Sequence, residues 1–185
     1  MTSIKIGVGL PVGVAHPEPT AMDGARFAED LGFESLWMPE VLIGDGTPAL
    51  DPMLALAAAA AVTERVGIGT GVLTAALRPA AWLATQVATL QRLSGGRVLL
   101  GVGSGGFPDS PFWQAVGVPG AERGPRTDAT LRALPDLLAG KPVVLGEGLP
   151  PVTLAPSAAM PPVLVGGNSG VAMRRAVEHG GWCPH

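Results

Sequence analysis

Gly166-Gly167-Asn168-Ser169 has the composition of an anion-binding turn. It follows the apolar run Pro161–Val165 and precedes a stretch with helical spacing. Glycines let a backbone approach a ligand closely, and a helix start offers unpaired N–H donors on the positive end of its dipole. The Ser169 hydroxyl adds one more polar group, although an ordinary N-cap turn accounts for the same four residues equally well. A second glycine pattern, Gly101-x-Gly103-x-x-Gly106, matches a dinucleotide fingerprint, but Phe107-Pro108-Asp109-Ser110-Pro111 stands where the phosphate-binding helix must start. It also ends the fourth strand rather than the first, so it reads as a decoy. In Val66–Leu73 the glycines at 67, 69 and 71 leave one strand face without side chains. A flat aromatic group has room there, as does a bulge or a closely packed helix.

Glu40 falls just past a short apolar run, where the rim of a parallel sheet presents ligand-facing groups; a solvated loop acid is the commoner fate of such a residue. His16, after the first strand, is a second candidate for chemistry. Trp113, in Pro111–Pro119, is the candidate wall of a substrate pocket. No His-Glu-x-x-His pattern exists, and neither Ser104 nor Ser169 lies in a Gly-x-Ser-x-Gly elbow, which disfavours zinc and serine hydrolases. The single cysteine, Cys183, excludes an internal disulfide framework and a cysteine zinc cage.

The elements that position these residues alternate strand and helix. Strands are expected at 4–10, 33–39, 66–73, 97–103 and 161–167, with a further one beginning at Gly181-Trp182-Cys183. Thr20 with Asp23 opens one helix and Asp51-Pro52 a second. Pro79 opens a third that ends at Ser94-Gly95-Gly96. Further helices are expected over 126–138, despite Pro135, and from Asn168 or Ser169 to about 179. Residues 143–145 and 152–154 have the makings of a small hairpin. The strands are near-continuous apolar runs, the mark of a parallel sheet covered by helices. Pattern alone leaves an open doubly wound sheet and a (β/α) barrel both standing.

Charged residues make up 15% of the chain and the net charge is −3, without a basic cluster beyond Arg174-Arg175, so no nucleic-acid partner is expected. The longest uncharged stretch, 148–173, is broken by five prolines, so no membrane span is expected. The amino-terminal run lacks a signal-peptide cleavage pattern, and a cytoplasmic location is expected.

Five segments taken together resemble one family: AEDLGFESLWMPE, DPMLALAAAAAVTERVGIGTGVL, RPAAWLATQVATLQRLSGGRVLLGVGSGG, FWQAVGVPGAERGPRTDATLRAL and PPVLVGGNSGVAMRRAVEHGGWCP. They are similar, in order and over nearly the whole chain, to the luciferase-like monooxygenases, the flavin oxidoreductases related to bacterial luciferase. The resemblance implies an α/β fold of the (β/α)8 TIM-barrel type. It implies FMN or the deazaflavin coenzyme F420, with oxygen insertion or hydride transfer on a small organic substrate. It also implies a flavin reductase and a second copy of the chain as partners. The position matching the family's non-proline cis peptide is Gly71-Val72. The flavin phosphate maps to Gly166, Gly167, Asn168 and Ser169; Gly103 and Ser104 join the cofactor set, and Glu40 maps to the acid that touches the deazaflavin ring. Where many members carry a catalytic histidine after that acid, this chain has Val41, leaving His16 as the substitute candidate.

Length sets one further expectation. A full barrel takes about 250 residues, whereas this chain has 185, enough for strands one to five and the start of six. The expectation is therefore one incomplete barrel domain over 1–185. Three explanations stand together: a fragment of a normal enzyme, a short relative that closes its sheet by dimerising, and a flavin binder without turnover that acts by association.

Overall fold

The computed structural model describes residues 4–11, 20–41 and 49–184. In chain order the elements are β1 (Gly7–Gly9), α1 (Ala21–Asp30), β2 (Ser35–Met38), α2 (Pro52–Ala61), β3 (Gly67–Thr70), β4 (Leu73–Thr74), α3 (Ala80–Leu93), β5 (Val98–Gly103), α4 (Pro111–Ala115), α5 (Arg123–Leu138), β6 (Val163–Gly166), α6 (Gly170–His179) and β7 (Trp182–Cys183).

The helix starts follow the local chemistry of the sequence. Thr20 and Asp23 form a reciprocal capping box. Asp51 accepts the Leu54 N–H at 2.9 Å, with Pro52 at the first helical position. Ser169 caps α6 by accepting the Ala172 N–H at 3.2 Å, and left-handed Gly180 ends that helix. Helix α5 begins at Arg123, three residues before its expected start, and runs through Pro135. Its Leu131, Leu134, Leu137 and Leu138 are all buried, and that burial outweighs the one backbone bond that proline removes.

The strands are parallel and stand in the order β1-β2-β3-β5-β6-β7, with β4 also pairing with β5. The order never reverses. A doubly wound sheet would reverse at its switch point; winding in one direction with right-handed crossovers puts every helix on one face. One strand face accordingly packs on the helices: Leu36, Met38, Ile68, Leu100, Val102 and Val165 join Leu56, Leu83, Val87 and Leu134 in a single buried cluster. The other face is concave and carries Ser35, Trp37 and Leu99 among glycines.

Three expectations change. The first strand is a three-residue edge strand, with Ile4 and Ile6 exposed, because β2 covers only one of its edges. The third strand, expected unbroken over 66–73, is broken at Gly71-Val72, beyond which the chain resumes as β4; that bond is cis, as the resemblance implies. The expected hairpin is a single antiparallel bridge, Val143 to Val152.

At the strand starts, charged side chains tie turns together. The Arg97 guanidinium donates to the carbonyls of Val66, Ala60 and Thr63 at 2.7–3.1 Å. The Glu29 carboxylate accepts N–H bonds from Glu64, Arg65 and Val66 at 2.7–3.1 Å.

Candidate functional site

At the opposite, C-terminal ends of the strands the chain forms a cleft of about 670 Å³. Its walls are Pro39 and Glu40 after β2, Gly71, Val72 and Thr74 around the strand break, Gly103–Gly106 after β5, Arg123 on α5, and Gly166–Ser169 with Ala172 after β6. Parallel winding brings these segments together, since each follows a strand in the same direction.

Glu40 is fully engaged. One carboxylate oxygen accepts the Thr74 N–H at 2.8 Å, and the other pairs with the Arg78 guanidinium. Arg78 also lies 4.0 Å from the Asp51 carboxylate. The side chains of Glu40 and Arg78 are 8% and 13% exposed, so the pair is held in a low-dielectric wall. Glu40 therefore straps the β2 exit to the segment that follows the cis peptide.

The far wall gathers groups that could hold an anion. Ser169 begins α6, whose first N–H groups face the turn. Gly167 has φ 116°, a conformation that a side chain would resist. Arg123 stands on the same cleft; its Nη1 donates to the Gly120 carbonyl at 2.9 Å, while its Nε is buried without a protein partner. Helices α5 and α6 are locked so that Arg123 stays there. Arg175 of α6 donates to Asp128 at 2.5 Å and to the Gly124 carbonyl at 3.1 Å. The Arg175 hydrogen bond holds the Asp128 carboxyl below the usual carboxylate range, against the opposing effect of burial.

Of the residues singled out from sequence, Glu40, Gly71, Val72, Gly103, Ser104 and Gly166–Ser169 meet in this one cleft. Trp113 is elsewhere. It is buried against Phe112, Val118 and Ala76, and its ring nitrogen donates to the Phe107 carbonyl at 2.9 Å. It reaches the cleft only from below, through Gly105: a Cβ there would stand 2.7 Å from the Trp113 ring. His16 lies outside the described residues. The glycine-bare face of β3 does hold a flat aromatic group, and that group is the chain's own Trp37: a Cβ on Gly69 would stand 2.5 Å from its ring. Arg123, Thr74 and Ala172 were missed from sequence. Arg123 carried no distinct signal, since the helix was expected to begin at 126 and Arg126 is the nearer basic residue; the packing that turns Arg123 onto the cleft comes from α6, far along the chain.

The sequence profile of the luciferase-like monooxygenase family matches residues 4–183. The chain belongs to that family. An uncharacterized protein of Mycobacterium tuberculosis is 37% identical over 181 residues, covering 85% of this chain and 62% of its own length. An F420-dependent glucose-6-phosphate dehydrogenase of Beutenbergia cavernae is 40% identical over 127 residues, covering 64% of this chain and 36% of its own. Among solved structures, the oxygenating constituent of 3,6-diketocamphane monooxygenase of Pseudomonas putida, in complex with FMN, superposes with a TM-score of 0.78. It is 21% identical and covers 99% of this chain and 57% of its own. The fold of this luciferase-like chain is therefore a parallel half-barrel, an incomplete barrel of the TIM type. It spans about three-fifths of the length of the mycobacterial relative. Among the described residues, no helix is long and apolar enough to cross a membrane.

Proposed function

We propose that this chain is a flavin- or F420-dependent oxidoreductase or monooxygenase that acts on a small organic substrate. One observation carries the reading: the anion wall, Gly166–Ser169 with Arg123, shares a cleft with the Gly71-Val72 break and Glu40. FMN and F420 both carry a phosphate group attached to a flat ring system, and the residues present suit both parts. The Arg123 guanidinium, the N-terminal N–H groups of α6 and the Ser169 hydroxyl would hold the phosphate. The Ser169 oxygen accepts from Ala172, so its own O–H remains to donate. Gly71, Val72, Gly103 and Ser104 would border the ring, where backbone without bulky side chains permits close approach. The bound cofactor supplies the redox chemistry, as hydride transfer for F420 or O₂ activation for FMN; the protein orients it and excludes water. Glu40, neutralised by Arg78, acts in this reading as the strap that fixes the wall beside the ring. A flavin reductase supplying reduced cofactor, and a second copy of the chain, belong to the same reading.

A second reading is a flavin binder without turnover, acting by association. It draws on Val41, which offers no acid or base beside Glu40, and on Glu40 having both oxygens engaged.

Parallel fluorescence titrations of the purified chain with FMN and with F420 test the proposal. Saturable binding of one names the cofactor. Arg123→Gln should then weaken that binding by about tenfold to a hundredfold, the loss of one charge-assisted contact to phosphate. A folded chain that binds neither refutes both readings. Binding with no substrate-free NADH oxidation or peroxide release, even with a reductase present, favours the second.

A further inference from the structure

Trp37 lies on the concave face of the sheet, over strand positions where β1 and β3 carry only hydrogen. A Cβ on Gly69 would stand 2.5–2.7 Å from three atoms of its six-membered ring, and one on Gly7 would collide with its nitrogen. Both glycines are therefore required by the indole. The ring nitrogen donates to the Ser35 hydroxyl at 2.9 Å, which turns the polar edge toward the strand starts and holds the ring in place. The opposite, hydrocarbon edge faces the other way: a Cβ on Gly71 would lie 3.5 Å from its Cε3. Gly71 is a wall of the cleft. The indole thus backs the cleft one residue layer down.

The geometry points to Trp37 as the residue that sets the depth of the cleft, and with it the length of the apolar substrate group the cleft accepts. This rests on the cleft being the ligand site. The concave positions of β1 and β3 are Gly7, Gly9, Gly67 and Gly69; Leu99 stands over Gly67 and Ser35 beside Gly7, and Trp37 is the side chain that covers Gly69 and backs Gly71. Without the indole a slot over the backbone of Gly71 and Gly69 would run toward Gly7 and end at the Ser35 hydroxyl. Its shape suits a flat or linear hydrocarbon, and its walls offer no charge.

The test uses straight-chain 1-alkanols of increasing length, with binding to the whole chain measured by calorimetry in wild type, Trp37→Leu and Trp37→Ala. Affinity should rise about fourfold per added methylene while the chain has room. In wild type the rise should stop at a certain length. In Trp37→Ala it should continue past that length, so that the longest alcohols bind more than about tenfold tighter than to wild type; Trp37→Leu should fall between. The leucine variant serves alone if the alanine variant does not fold. An identical stopping length in wild type and a folded variant, or no saturable alkanol binding to any, overturns the inference. FMN titration of the same samples separates the two proposals. A shift in stopping length without FMN or F420 binding keeps Trp37 as the floor and removes the flavin reading. Cofactor binding with an unmoved stopping length does the reverse.

Discussion

Both Glu40 oxygens are committed, one to the Arg78 guanidinium and the other to the Thr74 N–H, in a wall with little water. Removing one partner leaves the other charge buried and uncompensated, whereas removing both removes the problem. Glu40→Ala should therefore cost about 3 kcal/mol of stability. The double variant Glu40→Ala/Arg78→Met should cost clearly less than the sum of the two singles. Urea melts of the four proteins in this cycle check it; additive losses would mean that the pair does not act as a unit. The positions at this end of the barrel were legible in sequence, because Glu40 and the glycine turns each follow an apolar run that reads as a strand. Their bonding was not. That Glu40 bonds a residue thirty-eight positions away, and that Trp37 fills the face its neighbours leave bare, follow from strand pairing, which no local pattern encodes.

At the scale of elements, the helix caps were readable because their causes are local: Thr20-Asp23, Asp51-Pro52 and Ser169 each satisfy helix N–H groups within a few residues. The break in the third strand and the start of α5 at Arg123 rather than 126 were not visible in spacing, since tertiary packing decides them. Two predictions belong here. Gly101 of β5 faces the Thr70 carbonyl so closely that a Cβ would overlap it. Gly101→Ala must push β3 from β5 and should lower stability by about 3 kcal/mol or more, read as a fall in melting temperature. A melt equal to wild type would show that the strands can separate at no cost. The second concerns Glu29, which joins α1 to the turn before β3. Burial raises its pKa, but N–H bonds from Val66, Glu64 and Arg65 outweigh this and leave it below the usual carboxylate range. The stability it gives is therefore fully present above the ordinary value of 4.5 and is lost as pH falls through the lower folded value. Glu29→Gln should cost about 1–2 kcal/mol at neutral pH. The gap to wild type should narrow in strong acid, where both side chains are neutral; a gap independent of pH would assign the loss to shape rather than charge.

At the scale of the whole molecule, the outer surface has an uneven charge pattern that bears on self-association. Helix α2 carries no charged residue, and neither does α3 until Arg92. These two helices pack side by side, and their outward positions include Leu54, 74% exposed, and Trp82, 59% exposed. A helix that is apolar all round is normally covered on all sides. In α2 the inner side meets the core while Leu54 and Ala61 face outward. A second copy presenting the same uncharged face would cover it without burying an unpaired charge, and the isologous geometry of a twofold pair needs only such self-complementarity. The homodimer in the functional reading should therefore use this face. Sedimentation velocity across a dilution series should show a dimer that dissociates at low concentration. Leu54→Arg combined with Trp82→Arg should give a monomer at all concentrations with little change in intramolecular stability, because neither side chain contributes to the core. A wild-type monomer throughout would remove the homodimer from the reading. A dimer indifferent to the two arginines would move the contact to β1 and β7, the edge strands of the sheet among the described residues.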